Sequence, residues 1–414
     1  MTRKISLLIS LLLIFTVILS ACAPAVQEAE VPAAQESNAA TEEPAAPASG
    51  EPVKFGVVQP LTGPVADSGS YVVSGLQIGI DKINAEGGVC GRPLEVIVVD
   101  GKNDPQESAN AAELLITRDE VPIIMGAWGS SSTLAVMPVM ERHGVPLVVE
   151  TSSSGKITAS DTPGFDWTFR ISPMSLMEAE AVEPYIVSEL GMTKVAILSV
   201  NNDWGRGAAE VFKAVIEAQG GQVISEDFVD QSATDVLPQL TSIKNSGADS
   251  ILMTTSAGQI ATILKQYVEL GMSQKVLTTG GSNYPLAVMA LSSQAIVEGT
   301  YHLMFYLPEE FELAGDAEVA EWYFAEYNKR GLPSVGLGES YRGFDGAHVI
   351  AKAFEAVDCA SDPVALQQAL PGVTFDGLSG TVAFAENNGH QSRPNVYLAQ
   401  MIDGKIVVPD FQFK

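Results

Sequence analysis

Residues Val121–Thr158 read VPIIMGAWGSSSTLAVMPVMERHGVPLVVETSSSGKIT. The stretch holds two copies of one design. An apolar run, VPIIMG, ends in the small-residue turn GAWGSSST, and a helical pattern follows. A second apolar run, VPLVVE, ends in TSSSGKIT. Short continuous Val/Ile/Leu runs that alternate with helices predict buried parallel strands. In such sheets ligands bind just outside the carboxyl ends of the strands. Two serine-rich turns therefore fall where a ligand would lie, with hydroxyls, free backbone N–H groups and a helix N-terminus that favours an anion. The same serines would also serve as plain helix caps.

Outward from this stretch the rhythm repeats. Val53–Gln59 and Leu94–Asp100 read as strands before it. Between them runs a helix with Val72, Val73, Leu76, Ile80 and Ile83 on one side, and Pro105 opens the next helix, through Arg118. After Asp166–Arg170 a second strand–helix series begins. It comprises a helix over 174–190, a strand over Lys194–Val200, a helix over 205–219 and a strand over Gln222–Val229. A helix over 235–245, a strand at 250–255, a helix over 259–270 and a strand at 275–280 follow. Residues 298–307 read as an extended crossing. Helical patterns at 318–329, 346–358 and 363–370 precede a β-rich end. The fold class is α/β, with two doubly wound parallel-sheet lobes.

The chain of 414 residues is 46% hydrophobic, ample for two cores, and its net charge of −27 excludes a nucleic-acid partner, which needs a basic patch. Arg3 and Lys4 precede an apolar run from Ile5 to Leu19, a secretory pattern too short to span a bilayer comfortably. The run ends in Leu19-Ser20-Ala21-Cys22, which resembles a bacterial lipobox, and the resemblance implies lipidation at Cys22. A plain secretory peptide is the alternative. Residues 23–51, almost only Ala, Pro, Glu, Gln, Ser and Thr, are expected to form a disordered tether. Cys90 and Cys359 remain. An exported compartment permits a disulfide, and free buried thiols are the alternative.

Catalytic signatures are missing. The sequence has no H-E-x-x-H, G-x-S-x-G, P-loop or G-x-G-x-x-G. His143, His302, His348 and His390 lack metal-ligand spacing. Ser153-x-x-Lys156 matches S-x-x-K but has no K-T-G partner. Neither an enzyme, a metal nor a cofactor is expected.

Six segments then carry a family resemblance: KFGVVQPLTGPVA, GLQIGIDKINAEGGVCGRPLEVIVVD, NDPQESANAAELL, the GSSST turn, VPLVVETSSS and NNDWGRGAAEVF. In this order and spacing the body resembles the solute-binding proteins of ABC importers, of the leucine/isoleucine/valine and amide/urea group. The resemblance implies the type I periplasmic-binding-protein fold: two lobes joined by three crossing strands, here near Ile171–Met174, Tyr301–Leu307 and Asn388–Val396. Lobe one is expected to hold 52–172 and 302–390, and lobe two 173–301 and 391–414.

It implies a ligand carboxylate held by Ser130, completed by Ser152 and Ser154, with Trp204 packing on the ligand from lobe two. Ser131, Ser256, Gly280 and Tyr341 complete the expected ligand-binding set. Amino-acid binders of the group carry an acid for the ammonium where this chain has Gly280-Gly281-Ser282, and a tyrosine where it has Ser256. Asp203, Glu150 or Asp345 are the candidate substitutes. The expected function is capture of a small solute for ABC permease subunits by a monomer anchored to the outer face of the membrane. A branched-chain or other apolar amino acid ranks first, and an ammonium-free carboxylate or amide follows. A sensor feeding a receptor is the alternative.

Overall fold

The computed structural model describes residues 48–280 and 284–413. The expected signal peptide, Cys22, most of the tether, Gly281 and Ser282 lie outside the described residues. The first run is β1 (Val53–Gln59), α1 (Ala66–Ala85), β2 (Leu94–Asp100), α2 (Pro105–Thr117), β3 (Ile124–Gly126), α3 (Ser130–His143), β4 (Leu147–Val149) and β5 (Thr168–Arg170). The second opens with α4 (Ser175–Val182), β6 (Lys194–Val200), α5 (Asp203–Ala218), β7 (Gln222–Val229), α6 (Leu237–Ser246) and β8 (Ser250–Thr254). It closes with α7 (Ala257–Glu269), β9 (Lys275–Thr278), α8 (Pro285–Leu291), α9 (Gln294–Val297) and β10 (Tyr301–Met304). Then come α10 (Ala317–Lys329), α11 (Leu337–Glu355), α12 (Pro363–Ala369), β11 (Thr374–Gly377), β12 (Gly380–Glu386), β13 (Gln391–Ser392), β14 (Tyr397–Ile402) and β15 (Lys405–Val407).

The strands form two sheets, ordered β11-β12-β13-β5-β4-β3-β1-β2 and β15-β14-β10-β9-β8-β6-β7. Both contain the same parallel run. The order β2-β1-β3-β4-β5 in one repeats as β7-β6-β8-β9-β10 in the other. In each, the order reverses beside the first strand of the run, and the strand ends at that reversal leave a crevice. The parallel strands are buried on both faces, as their unbroken apolar runs require: six of the seven residues of β1 are buried. Asp104 caps α2 by accepting the Glu107 N–H at 2.9 Å, and Pro105 follows at the first turn, where its missing N–H costs nothing.

Some boundaries differ from the sequence reading. The expected helix over 174–190 is regular only from Ser175 to Val182, two residues before Pro184, and goes on as a run of turns. Tyr301–Met304 is a strand of the second sheet, paired with β9 and β14, so the chain leaves that sheet after Met304. Gln391–Ser392 belongs to the first sheet through Arg170 and Phe384. Helix α11 starts at Leu337, nine residues before its expected start, because its first turns bury Glu339, Arg342 and Asp345 against one another's surroundings. Charged residues there mask the apolar period.

Helices α1 and α11 touch backbone to backbone. A Cβ on Gly75 would lie 1.7 Å from the Ser340 carbonyl oxygen, and one on Gly343 would lie 2.0 Å from that of Val72. Only glycine permits this approach, which seats Tyr341 and Arg342. Just beyond the far ends of the same two helices Cys90 and Cys359 form a disulfide, their Cα atoms 6.3 Å apart and 269 residues apart in sequence. Closing so long a loop restricts the unfolded chain, so reduction is expected to remove about 2–4 kcal/mol of stability. Denaturant melts with and without reductant check this, with Cys90→Ser/Cys359→Ser as control; identical midpoints would refute it.

Candidate functional site

A narrow cleft lies at the carboxyl ends of β3 and β4 on one side and of β6 and β9 on the other. Its walls are Trp128, Gly129, Ser130 and Thr151–Ser153, faced by Asn202, Trp204 and Gly280, with Asn103 at one edge. Ser130 is the first residue of α3, and Gly129 before it supplies no side-chain cap. The first N–H groups of a helix have no partner within the helix, so this turn offers donors and the positive end of the helix dipole. Ser130 is 3% exposed; its Oγ accepts the Ser154 N–H at 3.2 Å and keeps its own hydrogen to donate.

The neighbouring serines are spent differently. The Ser152 hydroxyl lies 2.9 Å from the Ala127 carbonyl oxygen and 2.6 Å from the Thr133 hydroxyl. It ties the two serine turns together. Ser154 is not among the cleft walls. Its N–H reaches Ser130, its Oγ accepts the Lys156 N–H at 3.4 Å, and its carbonyl accepts from Arg170 at 2.6 Å. Arg170, fully buried, also donates to the Ser152 carbonyl at 3.2 Å, to Thr158 at 2.8 Å and to Gln391 at 2.5 Å. Its positive charge lies under the turn, which favours an anion above it.

Ser131 spans the cleft. Its hydroxyl donates to Asp203 Oδ2 at 2.8 Å and accepts the Asp203 N–H at 3.3 Å. Lys156 Nζ holds the other Asp203 oxygen at 2.9 Å. The Lys156 hydrogen bond, with help from Ser131, holds the Asp203 carboxyl below its usual range. Asp203 is thus engaged, and Lys156 in this pairing is no base for Ser153.

Trp204 follows Asn202, which caps α5 by accepting the Gly205 N–H at 2.9 Å. Its indole packs against Gly280: a Cβ there would fall 2.1 Å from Trp204 Cζ2, and φ is +94°. The Nε1 atoms of Trp204 and Trp128 are buried with no hydrogen-bond partner among the described residues. Gly280 is gripped at both ends. Its N–H donates to Glu178 at 2.6 Å and its carbonyl accepts from Arg342 at 3.3 Å. Ser256 and Tyr341 stand apart from these walls. The Ser256 hydroxyl accepts from Gln231 at 3.0 Å, and Tyr341 lines a small closed space behind, with Glu150, Arg342 and Asp345.

Sequence reasoning passed over Trp128, Glu178, Glu339 and Arg342. Arg342 pairs with Glu339 at 3.1 Å, both buried. Asp345 is occupied by the Leu378 and Ser379 N–H groups at 2.9 and 3.1 Å. Glu150 accepts from Gln59 at 2.5 Å with one oxygen, and its Oε2, like Oε1 of Glu178, has no hydrogen-bond partner among the described residues. Among the described residues no cluster of His, Cys, Asp and Glu is arranged to hold a metal, and no helix is long and apolar enough to cross a membrane.

Burial pushes the Glu150 and Glu178 carboxyls up to about 7 from an ordinary 4.5. Each holds its proton more tightly in the fold than in the unfolded chain. Between those two pH values the folded state binds more protons, so stability falls as pH rises through this window. Carboxyls held low, such as Asp100 and Asp249, act only at more acidic pH. The melting temperature is expected to drop from pH 5 to pH 8, and Glu150→Gln/Glu178→Gln to flatten that slope; calorimetry across this range checks it.

A family model described as "Periplasmic binding protein" matches residues 52–405. A Leu/Ile/Val-binding protein homolog 3 from Brucella melitensis is 25% identical over 356 residues, covering 86% of this chain and 93% of that protein. The leucine-binding protein LivK of Thermotoga maritima superposes with a TM-score of 0.76 at 24% identity, over 86% of this chain and 97% of the other. A solute-binding protein of an ABC transporter from Rhodopseudomonas palustris, solved with p-hydroxybenzoic acid, gives 0.74 at 24% identity, over 86% and 95%. The two structural likenesses are ones of fold. With two repeated α/β sheets facing a serine-lined crevice, and the family match running over nearly all of the folded body, this chain belongs to the periplasmic binding protein family.

Proposed function

We propose that this chain is the extracytoplasmic solute-binding component of an ABC importer, closing its cleft on a small carboxylate and delivering it to the permease. The observation that carries the reading is the open first turn of α3, with Ser130 poised to donate and Arg170 beneath the facing turn. An anion fits this arrangement without a basic side chain in the cleft wall.

For the solute's other end, no carboxylate is among the described cleft walls, and Gly281, Ser282 and Asn283 add none from the sequence. An unpaired ammonium in a closed cleft is costly. The ammonium-free carboxylate therefore ranks ahead of the amino acid placed first from the sequence. The Thermotoga relative is named for leucine and the Rhodopseudomonas one holds p-hydroxybenzoate, so both classes occur on this fold.

Thermal-shift screening of the full chain with leucine, its keto acid, benzoate, acetamide and urea tests the class. A ligand at a hundred times its dissociation constant stabilises by about 2.7 kcal/mol. A shift with leucine and none with the keto acid or benzoate would reverse the ranking. A hydrogen bond to a charged group contributes about 1.5–3 kcal/mol, so Ser130→Ala is expected to weaken carboxylate binding roughly ten- to a hundredfold. An unchanged dissociation constant would place the ligand elsewhere.

The Leu19–Cys22 motif and the polar segment after it support a lipid anchor at Cys22. Palmitate labelling of wild type in a bacterial host, lost in Cys22→Ala, is the expected result; an unlabelled wild type would end the idea.

A further inference from the structure

The walls of the serine-lined cleft have spent their acceptors and kept donors. The Gly129 carbonyl accepts the Thr133 N–H at 2.9 Å, and the Ser153 carbonyl accepts the Ser175 N–H at 2.9 Å. The Thr151 carbonyl accepts from the Ser153 hydroxyl at 3.3 Å. The Ser152 carbonyl takes two hydrogens, from Arg170 at 3.2 Å and from Ser172 at 3.1 Å. The Gly280 carbonyl accepts from Arg342 at 3.3 Å. A solute that brings a hydrogen to donate meets carbonyls already engaged.

Unspent donors stand on the same walls. From the first half come the first turn of α3 and the Ser130 hydroxyl hydrogen. From the second half comes the Trp204 N–H. Trp204 is 8% exposed, and its Nε1 has no hydrogen-bond partner among the described residues. The ring edge beside Nε1 faces Gly280, another wall of the cleft: a Cβ there would lie 2.1 Å from Cζ2 and 3.2 Å from Cε2. A buried N–H left without a partner is costly, so this one calls for an acceptor in the cleft. The indole is neutral, and no basic side chain is among the described walls. A neutral carbonyl therefore suits it better than a second carboxylate, whose charge would go unpaired.

We infer that the solute is a 2-oxo acid, and that Trp204 sets this choice by donating its N–H to the oxo oxygen while Ser130 and α3 hold the carboxylate. The cleft is narrow, which asks for two acceptors close together, and a 2-oxo acid carries them on adjacent carbons. A 2-hydroxy or 2-amino acid places a donor at the same point. The inference rests on the carboxylate reading proposed above and adds the group beside the carboxylate.

Titration calorimetry on the full chain with pentanoate, 2-oxopentanoate and 2-hydroxypentanoate tests it on one carbon skeleton. The oxo acid is expected to bind roughly two- to tenfold tighter than pentanoate, the net worth of one neutral hydrogen bond, and the hydroxy acid no tighter than pentanoate. Trp204→Phe removes the N–H with part of the ring, so all three acids weaken, but the ratio of oxo acid to pentanoate is expected to fall to about one. A merely structural role would shift both alike and keep the ratio. β-(3-Benzothienyl)alanine at position 204 keeps the bicyclic shape without the N–H, and it is expected to collapse the ratio even where the Phe variant does not fold. A wild-type ratio near one, a hydroxy acid that matches the oxo acid, or a ratio that survives the loss of the N–H overturns the inference and leaves the carboxylate reading standing. If none of the three acids binds, or Ser130→Ala changes none of the affinities, the carboxylate reading itself fails and takes this inference with it.

Discussion

Buried backbone and hydroxyl groups must find hydrogen-bond partners, and around this cleft nearly all of them do. Ser152 closes on Ala127 and Thr133, Ser154 on Ser130 and Arg170, and Ser131 on Asp203. At the cleft walls the polar groups left over are the first turn of α3, the Ser130 hydrogen and two indole N–H groups, and behind the walls one oxygen each of Glu150 and Glu178. What remains unsatisfied is rich in donors. A cleft built this way is rigid because its serines hold one another, and selective because the residue is one-sided. An acceptor with several lone pairs satisfies it; a second donor does not.

The same pairing joins the two halves. Among the described residues the second half meets the first beside the cleft through Asp203 with Ser131 and Lys156, through Gly280 with Arg342, and through Ser175 with the Ser153 carbonyl. The first is an exposed-to-partly-buried contact, worth little on its own in water. The second is buried, and removing one member would leave a charge without its partner. Arg342 therefore holds the Gly280 wall from within, while the Asp203 contact lies at the rim. Glu150 and Glu178 add two buried carboxyls beside Arg342, which already has Glu339. Burial keeps their protons on near neutral pH, and the nearby Arg342 charge opposes it only in part.

Much of the fold was legible because its signals are local. Apolar runs such as VPIIMG and KVAILSV mark strands buried on both faces, and the Asp104-Pro105 start of α2 is written in two residues. The serine turns and Trp204 were also visible, since small polar residues between strand and helix have few other uses. Legibility failed where the chemistry is long-range. Glu178 sits in a helix with nothing in its neighbourhood to say that its partner is Gly280, 102 residues on. Helix α11 hides its start behind Glu339, Arg342 and Asp345, buried charges that break the apolar period. The roles of Ser152 and Ser154 were placed by resemblance, which gives a position and not the direction of a hydroxyl.

Gly280 and Trp204 show why one substitution in such a site implies another. The indole occupies the volume that any side chain at 280 would need, with Cζ2 2.1 Å from the place of a Cβ. The backbone there, at φ +94°, also favours glycine. An acid at this position is thus excluded twice, by space and by conformation, as long as the tryptophan keeps its place. Conversely, a smaller ring at 204 would free the volume but lose the indole wall and its N–H. Space and backbone conformation at 280 are thus set together with the tryptophan, and the face they make is apolar. Behind the peptide the Glu178 carboxyl accepts the Gly280 N–H and holds the wall in place.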